Sequence, residues 1–154
     1  MTESILQQQW QMNQLDKELD EVYRNYALRA GLSTTGFWIL YWLRAEAKVY
    51  TQRELSSQWH YSPQTINSAL KGLEKQGLVA LVPQAGRGRS KRIELTAQGE
   101  ALARERVDPL LQAEQQALCA MTPEQRDALL TLMNQYLQSL RKQTDDIRFT
   151  PCGD

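Results

Sequence analysis

The feature that most constrains this chain is a run of seven apolar residues from Phe37 to Leu43, Phe-Trp-Ile-Leu-Tyr-Trp-Leu. A helix through it is apolar all round and has to be enclosed by other elements on most sides. A strand is the competing reading. Ser33 or Thr34 stands ready as a cap before the run, and Arg44, Ala45, Glu46 and Ala47 continue it with good helix formers, so a helix to about Ala47 is favoured. The run is far short of the ~18 apolar residues that cross a bilayer. The N-terminus lacks the basic stretch and apolar block of a signal peptide. A cytoplasmic protein without a membrane partner is expected.

The flanking segments supply the enclosure. From Ile5 to Ala30 apolar residues recur at helical spacing, with Leu15, Leu19, Val22, Tyr23 and Tyr26 on one stripe and Gly31 where a C-terminal cap belongs. Thr51 with Glu54 forms a capping box for a short helix to about Gln58, and Trp59, His60 and Tyr61 make a turn. Ser62 followed by Pro63 is the strongest helix start in the chain, closed four turns later by Gly77. Leu78 to Val82 and Arg92 to Leu95 are rich in β-formers and bracket Pro83-Gln-Ala-Gly-Arg-Gly-Arg-Ser-Lys91, a hairpin with a long basic tip. Thr96 caps a long helix bent or broken near Pro109. Thr122-Pro123-Glu124-Gln125 opens a last helix ending near Arg141 or Lys142, and the chain from Thr144 reads as frayed.

The fold class expected is therefore mainly α with a small β-hairpin wing. It is a winged helix-turn-helix between long dimerisation helices, and 154 residues suffice for one such domain. The lobe spans 32–96, the dimerisation helices 1–30 and 97–144, and the tail 145–154. Leu129, Leu132, Met133, Tyr136, Leu137 and Leu140 form a second apolar stripe, so the chain carries more apolar helix than a small winged helix needs to cover itself.

Net charge is zero, but it is unevenly spread. Residues 51–95 carry seven Lys/Arg against three Asp/Glu, whereas 1–50 carry five against six and 96–154 six against nine. A basic centre between acidic ends fits a chain whose middle alone faces a polyanion. On the helix after Ser62, residues Ile66, Ala69, Leu70 and Leu73 share one side, and Gln64, Asn67, Ser68, Lys71 and Lys75 share the other, which holds no acid. Amides there suit base edges, Lys71 reaches a guanine or a phosphate, and the helix start at Ser62 can hold a phosphate. In the hairpin tip, Arg87, Arg89, Lys91 and Arg92 place four cations within six residues. The DNA-contacting set read from the sequence is Ser62, Gln64, Thr65, Asn67, Ser68, Lys71, Arg87, Arg89 and Lys91.

The order Gly31-Leu32-Ser33, Phe37 to Leu43, Thr51-Gln-Arg-Glu-Leu55, Ser62-Pro-Gln-Thr65, Leu73-Glu-Lys-Gln-Gly-Leu-Val79 and Leu95-Thr-Ala-Gln-Gly99 resembles the MarR family of bacterial transcription regulators. The resemblance covers nearly the whole chain. It implies a homodimer joined through its first and last helices, with each winged helix on half of a palindromic operator. It also implies a repressor released by a small phenolic or other aromatic ligand. Arg89 falls where the family's minor-groove arginine is expected; the acidic residue usual two positions earlier is Arg87 here, which makes this wing more basic.

Trp10, Tyr26, Trp38, Tyr41 and Trp42 concentrate aromatics in the two helices that wall the ligand pocket of that family, with Arg44 or His60 as polar anchor. A plain hydrophobic core is the alternative for these rings. Redox sensing is disfavoured, because peroxide sensors of the family use a cysteine in the first helix and this chain has only Cys119 and Cys152. One histidine and two distant cysteines make no zinc site, and no nucleophile-base pair or phosphate-binding glycine loop appears, so neither an enzyme nor a cofactor is expected. The rival class is a winged helix used for protein contacts without sequence-specific DNA binding.

Overall fold

The computed structural model describes residues 4–46, 48, 50–86, 88 and 90–148. They form α1 (Ile5–Arg29), α2 (Thr34–Ala45), β1 (Tyr50–Thr51), α3 (Gln52–Gln58), α4 (Pro63–Lys75), β2 (Val79–Pro83), β3 (Lys91–Leu95), α5 (Ala97–Arg106), α6 (Asp108–Cys119) and α7 (Pro123–Asp145). Two compact units result, Met1–Leu111 and Gln112–Asp154. The mainly helical winged fold is that read from the sequence.

Local chemistry sets most boundaries. Ser4, Ser33, Thr51, Ser62, Thr96 and Thr122 each cap a helix by accepting the backbone N–H three residues on. These bonds satisfy donors that the first turn of a helix leaves without partners. Pro109 explains the break between α5 and α6. It has no N–H to give the Glu105 carbonyl, so the chain steps through buried Val107 and restarts.

In the first unit α2 is the central element. Phe37, Ile39 and Leu40 are fully buried and Trp42 and Leu43 nearly so, enclosed with Ala27, Leu55, Ile66, Leu70, Leu73, Ile93 and Val107 in one core. The sheet adds β1, which local sequence does not reveal. Its two residues pair with β3, Tyr50 opposite Ile93 and Thr51 opposite Arg92, giving the antiparallel order β1-β3-β2. Tyr50 is fully buried and donates its hydroxyl to Glu46, and burial, then the carboxylate, push that phenol up to about 12.

In the second unit α7 contains no buried residue, and Leu129, Leu132, Met133, Tyr136, Leu137 and Leu140 lie exposed along it. The helix runs past the expected end at Lys142 to Asp145. Thr144, expected to fray, hydrogen-bonds the Leu140 carbonyl at 3.0 Å and stays in the last turn.

Gly99 joins α5 to the wing. A Cβ there would overlap the Leu78 carbonyl oxygen and lie 2.9 Å from its carbon, and both belong to backbone. Gly99→Ala should therefore cost at least the upper part of the about 1–3 kcal/mol typical of overpacking. Denaturant unfolding with a midpoint unchanged from wild type would contradict this close approach.

Candidate nucleic-acid interface

The strongest candidate surface is the outer face of α4. Ile66, Leu70 and Leu73 are buried against the core, which turns Gln64, Thr65, Ser68 and Lys71 outward, with Asn67 half-buried at the margin. Ser62 accepts the Thr65 N–H at 3.0 Å, and the two hydroxyls lie 2.7 Å apart, so the cap also orders the first turn of the exposed face. Gln52 of α3 donates to the Pro63 carbonyl at 3.2 Å and ties the start of α4 to the preceding helix.

Ser33 and Thr35, at the start of α2, border a shallow groove together with Gln64, Thr65, Ser68 and Ala69. The sequence marked Ser33 only as a cap. That Ser33 borders the same groove as α4 follows from the packing of α2 on α4, which no local signal carries.

The wing is the β2–β3 hairpin, in register from Val79 opposite Leu95 to Pro83 opposite Lys91. Gln84 N–H reaches the Ser90 carbonyl at 3.2 Å across its tip. Gly86 and Gly88 adopt φ of 75° and 61°, in the left-handed region that glycine occupies without strain. Ile93 points into the core, while Lys91 and Arg92 are exposed. Arg92 forms an ion pair with Glu94 at 2.6 Å, which offsets one of the four cations read from the sequence. Arg87 and Arg89 lie outside the described residues, as does Cys152; Cys119 is exposed as a free thiol at the end of α6.

The aromatic candidates separate into two places. Trp38, Tyr41 and Trp42 gather on α2, where Trp38 and Trp42 stack with centroids 5.9 Å apart and Trp38 meets Tyr41 at 5.1 Å. Tyr26 meets Phe37 at 5.5 Å and donates its hydroxyl to the Arg106 carbonyl at 3.0 Å. Trp10 is 72% exposed and stands about 20 Å along α1 from Tyr23, at 1.5 Å per residue, so it does not join the others within one chain. Trp59 and Tyr61, whose local sequence signals only a turn, pack on Trp42 at 4.4 and 5.9 Å. His60 between them is exposed with φ 57°.

Arg44 is engaged in the fold. Its Nε and Nη2 bind both carboxylate oxygens of Asp108 at 2.8 and 2.7 Å, and Nη1 meets Glu100 at 3.2 Å. The side-chain hydrogen bonds from Arg44, and then its charge and that of Arg104, hold the Asp108 carboxyl below the usual range. Among the described residues no cluster of His, Cys, Asp and Glu could hold a metal ion, and no helix is long and apolar enough to cross a membrane.

A sequence model of the MarR family matches residues 30–90, from the end of α1 through the wing tip. No curated protein matches the sequence at a significant level. Among solved structures, the chain is similar to a MarR family regulator from Neisseria meningitidis, with TM-score 0.72, 20% identity and coverage of 88% of this chain and 97% of that one. It is similar to MepR of Staphylococcus aureus in complex with DNA, with TM-score 0.72, 18% identity and coverage of 86% and 95%. It is similar also to the organohalide-sensing regulator RdhR bound to 2,4-dichlorophenol, with TM-score 0.67, 17% identity and coverage of 99% and 92%.

The Arg44–Asp108 pair gives a pH dependence with a definite sign. A carboxylate whose folded pKa is lowered contributes stability above its ordinary value of 3.8 and loses that contribution as pH falls through the lower folded value. Asp108→Asn should thus be less stable than wild type at pH 7, with the difference shrinking as pH drops below about 4. Unfolding curves separated by a constant gap from pH 7 to pH 2 would show that the pair carries no such linkage.

Proposed function

We propose, from the match of residues 30–90 to a model of the MarR family and from the fold shared with that family's regulators, that this chain is a cytoplasmic MarR-type transcription regulator binding double-stranded DNA as a homodimer. The observation that carries the reading is the acid-free outer face of α4, with Gln64, Thr65, Ser68 and Lys71 exposed beside the Ser62 cap. Inserted in a major groove, Gln64 and Asn67 read base edges, Lys71 meets a guanine or phosphate, and the capped helix start faces the backbone. Arg87, Arg89 and Lys91 of the wing contact the neighbouring backbone and minor groove. The DNA complex of the similar regulator MepR supports this reading.

The dimer reading rests on uncovered apolar helix. Leu15, Leu19 and Val22 of α1 and the stripe of α7 are more than a third exposed. Burying one such side chain gains roughly 1.5–3 kcal/mol, a strong drive toward a second copy through α1, α6 and α7. With two-fold symmetry the two α4 helices then bind an inverted repeat, and occupancy of a promoter makes the protein a repressor. A small aromatic effector that relieves it fits the half-exposed rings of Trp38 and Tyr41, near Tyr26 and Trp42; the dichlorophenol complex of RdhR supports this class of ligand. Arg44 anchors such a ligand only by giving up Asp108 or Glu100.

DNA titrations over a range of salt test the division of labour. Lys71→Ala, Arg87→Ala and Arg89→Ala should weaken binding to every sequence and each lower the salt slope by about one, as lost phosphate contacts release fewer counterions. Gln64→Ala should instead cost about 1–3 kcal/mol at particular base pairs. Equal losses on specific and random DNA for Gln64→Ala would refute the assignment of α4 to base reading. Sedimentation should give twice the mass of one chain, and Leu132→Asp with Leu137→Asp should halve it; a wild-type monomer at micromolar concentration would end the dimer reading.

A further inference from the structure

The connection between α3 and α4 is four residues long, Trp59 to Ser62, and within it His60 is held at φ 57°, a left-handed conformation that costs a non-glycine residue strain. A turn this short sets the direction in which α4 leaves. Both neighbours of His60 press on one ring. Trp59 stacks flat on Trp42, with centroids 4.4 Å apart and planes 6° from parallel, and Tyr61 tilts against it at 5.9 Å. Trp42 is 3% exposed and stacks in turn on Trp38, which contacts Tyr23 of α1 at 4.8 Å. Ser56 fixes the far side of the turn by donating to the Tyr61 carbonyl at 2.6 Å.

We propose that the Trp42–Trp59 stack is a positioning device for sequence choice: it references the start of α4 to α2, and Trp59 and Ser56 are specificity-determining residues that touch no DNA. This inference rests on the DNA-binding reading above. Base edges are read through short, directional hydrogen bonds, so a small rotation of α4 loses them, whereas flexible lysines and arginines keep their phosphates. Loosening the turn therefore degrades discrimination more than general affinity.

The test compares binding to the duplex that the wild-type protein enriches from a random pool with binding to an unrelated duplex of equal length. It is made at a temperature where circular dichroism shows each variant folded. Trp59→Leu should lower the ratio of the two affinities about tenfold, the cost of roughly one mismatched base pair. Trp59→Phe, which keeps a stacking ring, should restore most of the ratio, and Ser56→Ala should lower it in the same direction. Should Trp59→Leu fail to fold, Ser56→Ala decides alone. If the ratio stays at the wild-type value while Lys71→Ala weakens both duplexes, the positioning role is overturned and the DNA-binding reading stands. If the wild-type protein has no DNA affinity that falls with salt, both are overturned.

Discussion

The packing of α4 on α2 is the constraint on which the rest depends. Ile66, Leu70 and Leu73 can leave water only against the apolar residues of α2 and their surroundings, and Leu73 reaches the backbone of α2 at Gly36, where a Cβ would lie in ordinary contact with it at 3.5 Å. Once those three are buried, the helical period leaves Gln64, Ser68 and Lys71 no place but the surface. The face offered to DNA is thus a by-product of core burial. The side chains that choose a sequence need contribute nothing to stability, which leaves them open to change without loss of fold.

The same economy runs through the connections. Capping hydroxyls at Ser33, Ser62 and Thr96 fix where three helices of the first unit begin. Arg44 then ties the end of α2 to Glu100 of α5 and to Asp108, just beyond the break before Pro109. A half-buried bidentate guanidinium is well suited to that junction, because its fork geometry fixes direction as well as distance. Aromatic stacking does the corresponding work in the same last turn of α2, where the rings of Trp42 and Trp59 meet.

What was legible in the sequence is what is local. The caps, the proline break and the helical stripes need only a few neighbouring residues to be recognised, and the hairpin is marked by β-formers around two glycines. The pairing of Thr51 with Arg92 escaped because a two-residue strand has no periodicity and exists only through its distant partner. Arg44 read as a ligand anchor because its partner Asp108 stands 64 residues away. Residue type groups Trp10 with Tyr26, and the length of α1 separates them. Trp59 and Tyr61 look like turn residues alone, since nothing local says that Trp42 lies beneath them. Long-range contacts, which carry most of the site's geometry, were the illegible part.

The central claim is that this core turns a sequence-reading face outward and that a second copy doubles it. Repeated selection of bound duplexes from a random-sequence pool, followed by sequencing, tests it most directly. The account predicts enrichment of an inverted repeat whose half-site centres lie about one helical turn, ~10 bp, apart. A pool that stays random after successive rounds, or one that converges on a single unrepeated half, would contradict it.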